Sequence, residues 1–291
     1  MFANATTIAV GFTRPIVISR RESSGKCFSA IGSYVVVNDE GWFVTACHIV
    51  QMLQQLADAV KAFQDHGVRR VQIERDQTLT DKARRKALAL HGTPKSDSIT
   101  NYSVWWGADE LKVMDLFGWP DCEIAAGRLE PFDPVFVGGY PIFKDPTKGF
   151  SPGTSVCKLG FPFHDIEPIW AGGNFQLPPD KVPPPFFPIE GIVTRNISFG
   201  RTPSGHSKGW LETSSPGLRG QSGGPIYDQH GTVWGIQSQT AHLPLGFNPP
   251  VPGNKKGLVE HQFLNVGMGV HPETLVAFLT DRGIKHQVSA Y

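Results

Sequence analysis

Residues 220–225 read Gly220-Gln221-Ser222-Gly223-Gly224-Pro225. A serine set among glycines lets backbone amides approach a reacting carbonyl closely, because no Cβ stands in the way. The amides of Gly220 and Ser222 are the candidates for an oxyanion hole. Beyond Pro225, the apolar runs Ile226-Tyr227 and Val233 to Ser238 flank Asp228-Gln229-His230-Gly231, a hairpin signal. A nucleophile loop that feeds a hairpin argues for a β scaffold. The same residues satisfy G-x-S-x-G, but that pattern's α/β fold needs a helix right after the serine and a histidine further on. Pro225 and a hairpin take the helix's place, although His230, His242, His261, His271 and His286 do follow.

A serine nucleophile needs a base, and the base needs a group that orients it. Upstream, His48 follows Val44-Thr45-Ala46-Cys47 at the end of a predicted strand. Between His48 and Ser222 lies Pro120-Asp121-Cys122-Glu123-Ile124-Ala125-Ala126, with two carboxylates, Asp121 and Glu123. On a strand, residues two apart face the same side. Cys47 adjoins His48, but neighbouring strand residues point oppositely, so Cys47 reads as packing rather than as half of a dyad.

Farther out, Ser29 to Val50 is apolar and broken at Asn38-Asp39-Glu40-Gly41, another hairpin signal. Val50, Leu53, Leu56, Val60 and Phe63 recur at helical steps. Asp81 to His91 is a second expected helix, with Thr80 as N-cap and Gly92 as stop. Residues 51–92 thus read as a helical insertion between β elements. Thr6 to Ser19 reads as one or two strands interrupted by Gly11 and Pro15. Strands are also expected near 102–106, 111–116, 123–129, 155–159 and 189–195. Pro272 to Arg282 reads as a closing helix stopped by Gly283.

Composition agrees with a turn-rich β protein. Among 291 residues, Gly (32) and Pro (24) make about one in five, which argues against a helical bundle. Hydrophobic residues at 40% exclude a disordered chain. A net charge of +1 gives nucleic-acid binding no support. No apolar run suits a membrane span, and the first residues lack a signal-peptide pattern, so a cytoplasmic protein is expected. Cys27, Cys47, Cys122 and Cys157 are far apart, which argues against a zinc site or disulfide framework.

These blocks resemble the chymotrypsin-fold serine proteases, specifically the bacterial trypsin-like and HtrA-like branch. Thr45-Ala46-Cys47-His48 is similar to the histidine motif and Gly220 to Pro225 to the serine motif. Glu123-Ile124-Ala125 occupies the place of the acid motif, normally Asp-Ile-Ala. Gly32-Ser33, Leu159-Gly160-Phe161-Pro162 and Gly191-Ile192-Val193 resemble further strand segments. The resemblance implies two six-stranded antiparallel β-barrels and a C-terminal helix. Residues 1–133 would carry the histidine and the acid, and 134–291 the serine. It implies a serine endopeptidase acting through an acyl-enzyme on protein or peptide substrates, with no cofactor and no metal.

Three departures from the family pattern matter. Register favours Glu123 as the acid and side-chain type favours Asp121. Gln221 replaces the aspartate that pairs with a new N-terminus in digestive relatives, so that activation route is absent. Pro216 stands where trypsin-type enzymes carry an acidic specificity residue, so cleavage after Lys or Arg through such an acid is not expected. Ser238, Gln239 and Thr240 would wall the pocket, favouring a small or medium apolar side chain before the scissile bond. The unusual acid keeps open a second reading, a protease-fold binding or scaffold module whose triad has decayed. The helical insertion follows His48 and is a candidate contact for a regulatory partner.

Overall fold

The computed structural model describes residues 1–202, 205, 207–247 and 262–291. The chain begins with helix α1 (Ala3–Phe12) and enters a sheet of β1 (Thr13–Glu22), β2 (Cys27–Val36) and β3 (Trp42–Ala46). Helices α2 (Cys47–Arg75) and α3 (Asp81–His91) interrupt it before β4 (Ile99–Trp105), β5 (Lys112–Trp119) and β6 (Ile124–Glu130). The spatial order is β4-β1-β2-β3-β6-β5, antiparallel throughout.

The second half carries β7 (Ile142–Phe143), β8 (Ser155–Lys158), a small hairpin of β9 (Ile169–Ala171) and β10 (Asn174–Gln176), β11 (Ile189–Arg201), β12 (Ser207–Thr213), β13 (Pro225–Tyr227), β14 (Val233–Pro244) and β15 (Phe263–Val270). Helix α4 (Pro272–Asp281) and β16 (Gln287–Val288) end the chain. Six strands form a ring, β13-β8-β11-β12-β15-β14, because β13 also pairs with β14. In the first sheet the edges β4 and β5 do not pair. The mostly-β fold with a helical insertion and a C-terminal helix is therefore present, while hydrogen bonding closes one ring of strands rather than two.

The apolar faces decide how the halves meet. One core cluster joins Val44 and Ile124 of the first sheet to Leu159, Tyr227 and Ile236 of the second and to Phe278 of α4. Burial of one such side chain contributes roughly 1.5–3 kcal/mol. A second cluster, around Ile16, Tyr34, Phe43 and Leu129, fills the first half. The Tyr34 hydroxyl there donates to the Trp106 carbonyl at 2.6 Å, so its polar end is satisfied.

Several elements differ from the sequence expectation. Of the strand expected over Thr6 to Ser19, residues 13–19 are strand, but 6–12 belong to helix α1, because Ala5, Ala9 and Phe12 fall on one buried face at steps of four and three. That face packs on the second half, where Thr6 Oγ1 lies 2.8 Å from the Tyr227 hydroxyl. Helix α2 starts four residues earlier than the expected insertion, so His48 sits in a first helical turn and not at a strand end. The hairpin turn at 38–41 is as expected, with Asn38 Oδ1 accepting from the Glu40 amide at 3.0 Å. Helix α3 keeps its expected bounds. Thr80 caps it by accepting from the Ala83 amide at 3.3 Å, and Gly92 follows its last residue. His261, one of the histidines downstream of Ser222, lies outside the described residues.

Candidate active site

The loop ahead of β13 owes its shape to contacts that only glycine permits. Gly220 has φ +96°, and a Cβ there would stand 2.4 Å from the Phe161 carbonyl oxygen. Gly223 has φ +87°, and a Cβ would come within 1.9 Å of the Ser33 carbonyl oxygen. Both values lie where L side chains are strained. The close approach lets β2 of the first sheet grip the loop. The Ser33 amide donates to the Ser222 carbonyl at 2.8 Å, and the Ser33 hydroxyl donates to the Gly220 carbonyl at 2.7 Å. Thr45 of β3 in turn donates to the Ser33 carbonyl at 2.7 Å. Inside the loop, the buried Gln221 amide accepts from the Leu218 N–H at 3.0 Å and donates to the Phe187 carbonyl at 3.3 Å. A neutral side chain thus performs the internal bonding, and no new N-terminus is needed to neutralise it.

Among the described residues, the Gly220 and Ser222 amides donate to nothing, while the Gln221, Gly223 and Gly224 amides are all bonded within the protein. The two amides named from the sequence are thus the ones left open. The Ser222 hydroxyl donates to the Ser238 carbonyl at 3.0 Å, and it makes no hydrogen bond to His48.

His48 and Glu123 meet. His48 Nδ1 is 2.9 Å from Glu123 Oε2, and the same oxygen accepts from the Ser238 hydroxyl at 3.2 Å. Burial works to raise the Glu123 carboxyl, but the bonds from His48 and Ser238 outweigh it and hold the group below the usual carboxylate range. The local backbone explains which of the two carboxylates reaches His48. Pro120–Cys122 form a single 3-10 turn, and Glu123 takes a left-handed conformation (φ +56°) before β6 begins at Ile124. Asp121 and Glu123 therefore do not share a strand face, contrary to the expectation from their spacing. Asp121 turns outward and bonds Lys208 Nζ at 3.1 Å, while Cys122 is buried in the core.

Cys47 opens α2 and is buried. Burial first, and the Glu123 carboxylate second, push its thiol up to about 11, so it stays protonated at neutral pH. The groove next to Ser222, roughly 480 Å³, is lined by Pro216, Ser238, Gln239 and Thr240, the four pocket positions named from the sequence. Arg219, His242 and Asn265 line it too, and those were not anticipated. The supports Ser33, Thr45 and Gln221 were also missed as loop anchors. Only the 220–225 pattern hinted that something must hold such a loop. Among the described residues no group of His, Cys, Asp and Glu is arranged to hold a metal ion.

The model of the trypsin-like peptidase domain matches residues 32–236, which takes in part of each sheet together with His48, Glu123 and Ser222. This chain belongs to the trypsin-like peptidase domain family. The trypsin-like domain here is also similar to solved structures. The active form of the Rv3671c protease from M. tuberculosis aligns over 98% of this chain and 86% of its own, at 12% identity and a TM-score of 0.49. The HtrA-type protease AlgW with a tripeptide aligns over 98% of this chain and 64% of its own, at 15% identity and a TM-score of 0.46. No curated protein matches the sequence. No helix among the described residues of this trypsin-like chain is long and apolar enough to cross a membrane.

Proposed function

We propose that this trypsin-like domain is a serine endopeptidase. Ser222 is the nucleophile, His48 the general base, and Glu123 the group that orients and charge-stabilises the imidazole. The observation that carries the reading is the His48–Glu123 bond at 2.9 Å, tied to the serine through Ser238, whose hydroxyl donates to Glu123 and whose carbonyl accepts from Ser222; among the described residues the amides of Ser222 and Gly220 are unbonded. In the reaction, the Ser222 hydroxyl leaves the Ser238 carbonyl and gives its proton to His48 Nε2 as Oγ attacks the peptide carbonyl. The developing oxyanion takes hydrogen bonds from the Gly220 and Ser222 amides. His48 then protonates the departing amine. It next accepts a proton from the water that cleaves the acyl-enzyme, and returns it to Ser222 Oγ. Residues 1–133 supply the base and acid in this reading, and residues 134–291 supply the nucleophile.

The test is hydrolysis of an unfolded protein substrate by the wild type and by Ser222→Ala. Cleavage by the wild type that drops by roughly 10⁴-fold or more in the variant supports the reading. Equal cleavage by both removes it.

A second reading is a protease-fold binding module without turnover. It is favoured by one observation, the Ser222 hydroxyl bonded to the Ser238 carbonyl in place of His48. Peptide binding with no turnover by the wild type would select it.

A further inference from the structure

The groove beside Ser222 has an unusual charge. Its described lining holds two basic residues, Arg219 and His242, and no Asp or Glu. Arg219 is exposed and makes no hydrogen bond or ion pair with any described residue. Beneath the rim lies a third basic group. Lys158 of β8 is 1% exposed, and its ammonium donates to the Pro216 carbonyl at 2.8 Å, to Thr213 Oγ1 at 3.1 Å and to the Ser215 carbonyl.

Among the described residues no carboxylate reaches this amine, and Cys157 is the one charge influence on it. Burial pulls its pKa down to about 7, so an anion brought nearby would favour its charged form. Gln237 adds a polar floor. Its Nε2 sits 2.2 Å from where a Gly217 Cβ would be, and its buried Oε1 has no partner. A buried ammonium without a counter-ion and a buried unpaired amide oxygen are costly in an apolar specificity pocket. They suit a pocket completed by a polar, negatively charged group.

We infer that this groove selects an acidic side chain, Glu or Asp, immediately before the scissile bond. Arg219 meets the carboxylate, and Lys158 acts from below as a positioning residue. Its ammonium ties the Ser215 and Pro216 carbonyls away from the anion and adds positive potential beneath it. The inference rests on the peptidase reading for the meaning of the groove. It replaces the expectation of an apolar preference, which followed from Ser238 to Thr240 without the cations.

The experiment uses peptides identical except for one position carrying Glu, Gln, Leu or Arg. Their kcat/KM is measured on the wild-type chain, on Arg219→Gln and on Lys158→Met. Their affinity is measured on Ser222→Ala by fluorescence anisotropy. The expected result is a Glu over Gln preference of about tenfold or more in both readouts, shrinking toward unity in Arg219→Gln. Arg219 is exposed, so that variant folds even if Lys158→Met does not. In a folded Lys158→Met, the Glu over Gln ratio falls. Equal affinity for Glu and Gln peptides, or a ratio untouched by Arg219→Gln, overturns the inference. Glu-selective binding without any hydrolysis leaves the groove assignment standing and removes the peptidase reading instead.

Discussion

His48 and Glu123 are joined by a 2.9 Å hydrogen bond, although the rest of α2, all of α3 and two strands lie between them in sequence. The pairing β3–β6 brings them together, with Ala46 opposite Ile124. The Cys47 amide also donates to the Glu123 carbonyl at 3.1 Å, so backbone as well as side chain sets the place of Glu123. Because the carboxylate meets Nδ1, Nε2 is the imidazole nitrogen without a hydrogen-bond partner among the described residues.

Two carboxylates compete for the acid's role in sequence, and substitution separates them. Glu123→Gln is expected to lower kcat/KM by at least about 100-fold, since an amide neither fixes the tautomer nor stabilises the imidazolium. Asp121→Asn loses only the outward bond to Lys208, so its rate stays within about threefold of wild type. Steady-state peptide hydrolysis by the two variants checks this. Equal losses would contradict the assignment.

The nucleophile loop is expected to be intolerant of a methyl group. Gly223→Ala places a Cβ against the Ser33 carbonyl oxygen and Thr45 Oγ1 at an unfavourable φ. Destabilisation of roughly 2–4 kcal/mol follows from the clash and the backbone strain together. Urea unfolding measures it. A variant as stable as wild type would show that the loop adopts another path.

Stability should respond to pH through Lys158. Its folded pKa is depressed from 10.5 to about 7. Between those values the unfolded chain binds the proton and the folded chain does not, so stability rises with pH across this window and is flat below it. Urea unfolding at pH 7 and pH 9.5 should show a wild-type gain that Lys158→Met lacks, once the variant's own trend is subtracted. Parallel behaviour of the two proteins would contradict the burial of this amine.

The distal helical hairpin is separable from the fold. Of α2, only Cys47, Ile49 and Leu56 are buried, and α3 buries nothing. Replacing residues 64–91 by a short flexible linker should leave a cooperative thermal transition within a few degrees of wild type. Loss of cooperativity would show a structural role. A changed cleavage rate with unchanged stability would mark the hairpin as a gate on the cleft.

Much of this was legible in the sequence, for physical reasons that differ by element. The loop at 220–225 could be read because glycine requirements are local: a positive φ and a close backbone approach leave a mark on the very residues involved. Helix α3 was equally legible, since Thr80 and Gly92 cap it by contacts within one turn. The acid was ambiguous because its geometry depends on a left-handed residue after a 3-10 turn, and nothing in Pro120-Asp121-Cys122-Glu123 demands that Glu123 adopt it. Helix α1 is hard to read from sequence because its small residues Ala5 and Ala9 are buried by residues distant along the chain, such as Tyr227, a tertiary effect. The basic lining of the groove was hidden for the same reason. Lys158, Arg219 and His242 come from three separate segments and meet only in the fold.

The central claim is that Ser222 is an activated nucleophile, and covalent capture tests it most directly. A fluorophosphonate probe followed by peptide mass spectrometry should place one adduct on Ser222, with labelling abolished in Ser222→Ala and strongly slowed in His48→Ala. A folded wild-type protein that takes up no probe, or takes it up on another residue, would contradict the claim.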